Sequence, residues 1–142
     1  MPNDIQGSFS IDFDTSDFRG LVGHIRRFSL EAADYALLVV ANELLRDAQL
    51  YVPVLSGRLR DSGRVEDMPE PEGAHIRRVR VVYGNADVMY AWIQHEVPYN
   101  HPSLGLYGAA KYLETPLMMN HVFYMSLFAV EYDLYLSRSY GR

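Results

Sequence analysis

Residues 75–83 read HIRRVRVVY, and this stretch sets the class of fold. Its second half is β-branched and alternating: Arg77, Val79, Val81 and Tyr83 fall on one face, Ile76, Arg78, Arg80 and Val82 on the other. A side-chain period of two with that composition predicts a strand. Just after it, Gly84-Asn85-Ala86-Asp87 is a turn signal, so residues 89–96 are expected as an antiparallel partner strand. Before it, Pro69-Glu70-Pro71-Glu72-Gly73 is a loop, and residues 63–68 are expected to begin the sheet.

Further out lies "VPVLSGRLRDSG", residues 52–63. Pro53 ends whatever helix precedes it, because its ring clashes with helical geometry on its N-terminal side. That helix is expected over 16–50, since Phe18, Leu21, Ile25, Phe28, Ala32, Ala36 and Val40 recur at steps of three and four. A bend is expected near Gly20 or Gly23. At ~1.5 Å per residue it would be roughly 50 Å long, more than a small domain needs, so part of it is expected to pack on a neighbouring chain. Ahead of it, Ser8-Phe9-Ser10-Ile11-Asp12-Phe13-Asp14 alternates as a half-buried strand. A short helix is expected within 55–62, capped by Ser56 with Gly57 allowing a tight entry. Residues 97–110 form an irregular Pro/Gly loop. A final helix over 111–137 has an apolar face wide enough to be covered on more than one side. The sum is one α+β domain over 1–142: a long N-terminal helix and a C-terminal helix packed on a small antiparallel sheet.

Composition narrows the function classes. The chain has 49% hydrophobic and 22% charged residues, as ordinary globular proteins do. With no cysteine, disulfides and thiolate metal sites are excluded. The net charge of −5 argues against a sequence-independent grip on nucleic acid, which needs clustered Lys and Arg. The sequence lacks an apolar run of membrane-spanning length and a basic-then-apolar N-terminus, so folding in a cytosol without export is expected. Eleven tyrosines suit either an assembly surface or a tyrosine-rich core.

The candidates for chemistry are few. His95, Glu96 and His101 resemble a metal or acid–base cluster, but the HExxxxH spacing holds Pro98 and cannot align two imidazoles on one helical face. A metal-dependent hydrolase built on them is the weaker reading beside a polar loop at a strand end. Ser56-Gly57-Arg58 lacks the strand-to-helix setting of a nucleophile elbow or phosphate loop. Arg77, Arg78 and Arg80 could meet DNA phosphates, although a solvated strand face is the commoner use. Lys111-Tyr112-Leu113-Glu114 is either a recognition segment or the first turn of the last helix. A soluble binding module, such as a toxin-neutralising or DNA-associated factor, is the third class.

Three short motifs then fall in order. Pro53, Ser56, Gly57, Leu59, Arg60 and Ser62 form the first; Tyr90, Ala91, Gln94, His95 and Glu96 the second; Lys111, Tyr112, Leu113, Glu114 and Pro116 the third. Together, over about residues 30–120, they resemble the tail-completion and head–tail joining proteins of long-tailed bacteriophages, also described as minor capsid or minor tail components. Ser56 stands where threonine is more usual. The resemblance implies a virion structural protein without enzymatic activity or cofactor, forming a ring, commonly six-fold, at the neck or head-proximal end of the tail. It implies assembly in the bacterial host cytoplasm, away from any membrane. Its partners would be copies of itself, a connector or stopper ring, and a tail terminator or tube protein, with DNA passing through. Tail terminator and minor capsid protein are alternatives within that class. Arg58, Arg60, Tyr99, His101, Leu104, Tyr107, Lys111 and Tyr112 are the expected subunit or partner contacts.

Overall fold

Val79, Val81 and Tyr83 are fully or almost fully buried, as the alternation of 75–83 requires. They lie on β3 (Arg78–Tyr83), the middle strand of a three-stranded sheet of order β1-β3-β2. The computed structural model describes residues 8–14, 30–69, 77–97 and 110–140. β1 (Phe9–Asp14) and β2 (Arg64–Met68) both run antiparallel to β3, pairing Ile11 and Val65 with Val81 from either side. The inner face therefore carries a row Ile11–Val81–Val65. On the outer face Arg80 sits opposite Asp12 and forms a two-pronged ion pair with it.

Over the inner face lies α1 (Leu30–Tyr51). Ala32, Ala36, Leu37, Val40, Ala41, Leu44 and Ala48 are all completely buried. Spread at 100° per residue, these positions cover about half of the helix circumference. The width has a cause: α1 meets the sheet on one side and α4 (Glu114–Tyr140) on the other. Four alanines in that set let both neighbours approach closely. α4 runs antiparallel to α1, with the Tyr124 hydroxyl donating to Asp47 Oδ2 at 2.6 Å near the end of α1 and Tyr135 over Glu31 and Tyr35 near its start. Tyr83, Tyr112, Tyr124 and Tyr132 are buried, so the tyrosine-rich core is realised.

The joint after α1 follows the expected outline with two corrections. Val52 and Pro53 leave the helix, and α2 (Arg58–Asp61) is a single turn. Ser56 does not cap it; Gly57 stands at the N-cap with φ +81°, a left-handed conformation natural to glycine, and Ser56 is exposed. Ser62 then ties the joint to the sheet: its buried hydroxyl donates to Leu59 O (2.6 Å) and accepts from Gly84 N–H (2.9 Å). The Arg64 guanidinium donates to Gly84 O at 2.7 Å.

The second correction concerns residues 89–96. Asn85 makes the expected turn, accepting the Asp87 N–H on its side chain and the Val88 N–H on its carbonyl. A helix, α3 (Ala91–Glu96), follows it and not a strand. Helical spacing places Ala91 and His95 inward together while Ile93 between them faces out, which alternation cannot do. Other expectations lie outside the described residues: the helix start within 16–29 with its bend, and the loop over 98–109.

Gly63 is packed so tightly that an added Cβ would stand 2.6 Å from the Tyr83 ring and 3.0 Å from Leu45 Cδ1. Gly63→Ala is therefore expected to lower stability by about 1–3 kcal/mol. Tyr83→Phe should be neutral or stabilising, because the Tyr83 hydroxyl is buried with no hydrogen-bond partner among the described residues. Urea midpoints of the two variants check both signs.

Candidate functional site

α3 brings together the residues with unusual surroundings. His95 is completely buried, stacked on Phe9 (centroids 3.6 Å) and edge-on to Tyr112 (4.9 Å). Its Nδ1 lies 2.7 Å from Glu96 Oε1. A carboxylate accepts, so Nδ1 carries the proton and Nε2 presents a lone pair; Nε2 is buried and has no hydrogen-bond partner among the described residues. Glu96 bonds in turn to Lys111 Nζ (2.8 Å), which also reaches Glu114 (3.0 Å). The Lys111 N–H donates to His95 O at 2.7 Å, and the Tyr112 hydroxyl to Ala91 O at 2.9 Å. Lys111 holds φ +60°, a left-handed conformation that costs a non-glycine residue about 1–2 kcal/mol. These bonds form a clip joining the end of α3 to the entrance of α4, and so they hold together the two ends of the segment between them.

The electrostatics suit a clip better than a catalyst. Burial pushes the His95 imidazole below its ordinary pKa, outweighing the Glu96 bond that acts to raise it. The Lys111 bond, then that of His95, holds Glu96 below the usual carboxylate range. Lys111 is raised, chiefly by Glu96. An imidazole sealed between two aromatic rings does not meet a substrate, and among the described residues no group of three His, Asp or Glu side chains is placed to hold a metal. His101 lies outside the described residues.

Beside the clip is a cavity of about 130 Å³, lined by Pro53, Leu55, Ser56, Gly57, Leu59, Tyr90 and Gln94. The joint forms one wall and the start of α3 the other. Gln94 Oε1 is buried without a partner among the described residues. Of its lining residues Leu55 is 77% exposed, and along the turn and α3 Met89 (62%), Trp92 (53%) and Ile93 (50%) are also uncovered. A second uncovered apolar surface runs along α4, where Met118 (66%), Met119 (69%), Val122 (64%) and Phe123 (50%) face solvent. The wide face read from the sequence thus divides: Phe128 is buried and Leu117, Leu127 and Leu136 pack against the core, while Met118, Val122, Val130 and Leu134 are exposed.

The structure sorts the residues expected to make contacts. Arg58 and Arg60 are exposed on α2, next to the cavity, and no ion pair joins either to a carboxylate among the described residues. Lys111 is engaged in the clip. Tyr112 is wholly buried and belongs to the core, which corrects its assignment as a contact. Tyr99, His101, Leu104 and Tyr107 lie outside the described residues. Three arginines on or beside the sheet are matched by acids, Arg77 with Asp34 and Asp67, Arg80 with Asp12 and Arg64 with Glu66, while Arg78 is in no ion pair among the described residues. The exposed Leu55, Met89, Trp92 and Ile93 were not expected; reading 89–96 as a strand hid the outward side of α3.

No family model, curated protein or solved structure matches the chain.

The clip makes a specific prediction about pH. The folded state binds the His95 proton less readily than the unfolded chain, whose imidazole titrates near 6.5. Its contribution to stability is therefore complete above that value and is lost as pH falls below it, at up to ~1.4 kcal/mol per pH unit. Glu96 acts in the same direction at lower pH, since its folded pKa is also lowered. Stability measured by urea at pH near 7.5 and near 5.5 should fall in the native chain, and His95→Gln should flatten that slope.

Proposed function

We propose that this chain is a structural protein of a tailed bacteriophage, forming a ring at the head–tail junction through which DNA passes. The observation that carries the reading is convergence. The three motifs behind the resemblance, separated in sequence, build one corner of the fold. Pro53, Ser56, Gly57 and Leu59 share a cavity with Tyr90 and Gln94; Lys111 and Tyr112 bond to His95, Glu96 and Ala91. Short motifs that fold into one unit are better evidence of kinship than the same motifs scattered over a surface.

Two physical features support it. Contiguous apolar area beyond a few hundred Å² is unusual on a monomer and marks an association surface. A net charge of −5, with Arg77 and Arg80 already paired to carboxylates, suits a channel along which DNA slides without sticking. The reading calls on no cofactor. Its partners are copies of itself, a connector or stopper ring, and a tail terminator or tube protein. A tail terminator or minor capsid role keeps the same corner and differs in position within the particle.

Gold labelling of a tagged chain in purified particles is expected to mark the neck; label elsewhere, or particles without the chain, overturns the proposal. Deletion of residues 99–108 is expected to leave the fold intact, because the clip closes around the gap, and to yield separate heads and tails by electron microscopy. Normal infectious particles from that deletion would remove the segment's role in joining.

A further inference from the structure

Phe123 stands half-exposed on α4, flanked by Met119 and Val122. Elsewhere on the same chain, the joint and α3 enclose an apolar cavity of about 130 Å³ that none of these residues lines. We propose that the two fit each other between copies: the Met119–Phe123 surface of one subunit seats on the joint–α3 surface of the next, with the Phe123 ring in the cavity. The inference deepens the ring reading, on which it rests for closure, by naming the two surfaces that meet.

Size is the first argument. An apolar cavity of roughly 150 Å³ takes up benzene, so this one suits a phenyl ring. Its wall is mostly apolar, from Pro53, Leu55, Leu59 and the Tyr90 ring, with Ser56 and Gln94 as its polar members, and an aromatic side chain seated in such a pocket is where interface energy concentrates.

Area is the second. On one side Leu55, Met89, Tyr90, Trp92, Ile93 and Val97 are 38–77% exposed; on the other Met118, Met119, Val122, Phe123, Val130 and Leu134 are 40–69% exposed. At side-chain areas on the order of 150–250 Å² these fractions come to roughly 650 Å² on each surface. Covered in full, they would bury at most about 1,300 Å², at the low end of the ~1,200–2,000 Å² of a stable specific interface.

Charge is the third. Neither set contains a charged residue, so joining them strands no ion. At the edges, Arg58 and Arg60 stand on α2 with Asp61 on the same turn, a net positive charge, and Asp133 is exposed on α4 between Val130 and Leu134. Among the described residues none of Arg58, Arg60 and Asp133 is in an ion pair.

Because the surfaces differ, the contact is head-to-tail and leaves one of each open on every dimer. Such a contact propagates, and closes into a ring when the rotation between neighbours closes. Pairing of either surface with itself would stop at two subunits.

Leu55→Glu and Phe123→Glu alter one surface each at an exposed position, and circular dichroism should show both folded as the native chain is. In light scattering the native chain is expected to form species larger than a dimer. Each variant alone should remain monomeric, and an equimolar mixture of the two should give a dimer and nothing larger, since one intact pair of surfaces survives. A native chain monomeric at millimolar concentration overturns the proposal, as does a mixture that stays monomeric. Dimers of Leu55→Glu alone would assign α4 to a symmetric pairing and overturn it equally. Failure here is distinct from failure of the neck assignment, which labelled particles decide without reference to these variants.

Discussion

α1 is buried from two sides at once, and the rest of the structure depends on that. A three-stranded sheet of short strands cannot shield a core alone, and among the described elements α4 packs chiefly on α1. By offering half of its circumference, α1 joins three layers of which neither outer one would persist without it. The alanines at 32, 36, 41 and 48 are what permit two close approaches on one helix. Larger residues there would push one layer away, while polar ones would be buried unpaired.

The parts of this architecture with a clear period were legible in the sequence. β1 and β3 alternate, α1 repeats at three and four, and each appears where its period puts it, within the described residues. Residues 89–96 were not legible in the same way. Tyr90, Trp92 and Ile93 favour strands, and a six-residue helix is too short to display a period of 3.6. What decides its conformation is tertiary: the pocket between Phe9 and Tyr112 takes His95, and Ala91 one turn earlier offers its carbonyl to the Tyr112 hydroxyl. Ser56 misled for a related reason. Glycine can turn the chain into α2 through a left-handed conformation, after which a side-chain cap is unnecessary.

The candidate site shows the same division. Arg58 and Arg60 were visible as exposed cations near a proline-glycine joint. Tyr112 looked like a contact residue because an amphipathic side chain in a loop-like stretch carries no mark of burial. The two apolar surfaces could be found only by subtraction, after the core had taken what it uses. An apolar side chain reads identically in sequence whether the chain itself or a neighbour covers it.

One consequence of the clip concerns chain length more than stability. With Lys111 bonded to the backbone of His95 and to the carboxylate of Glu96, the two ends of the span between α3 and α4 are held together. The clip thus carries the closure of whatever length of chain lies between them. Closing a loop twice as long costs only about 0.6 kcal/mol more. A longer connection there would be closed by the same bonds, between the same two backbone positions.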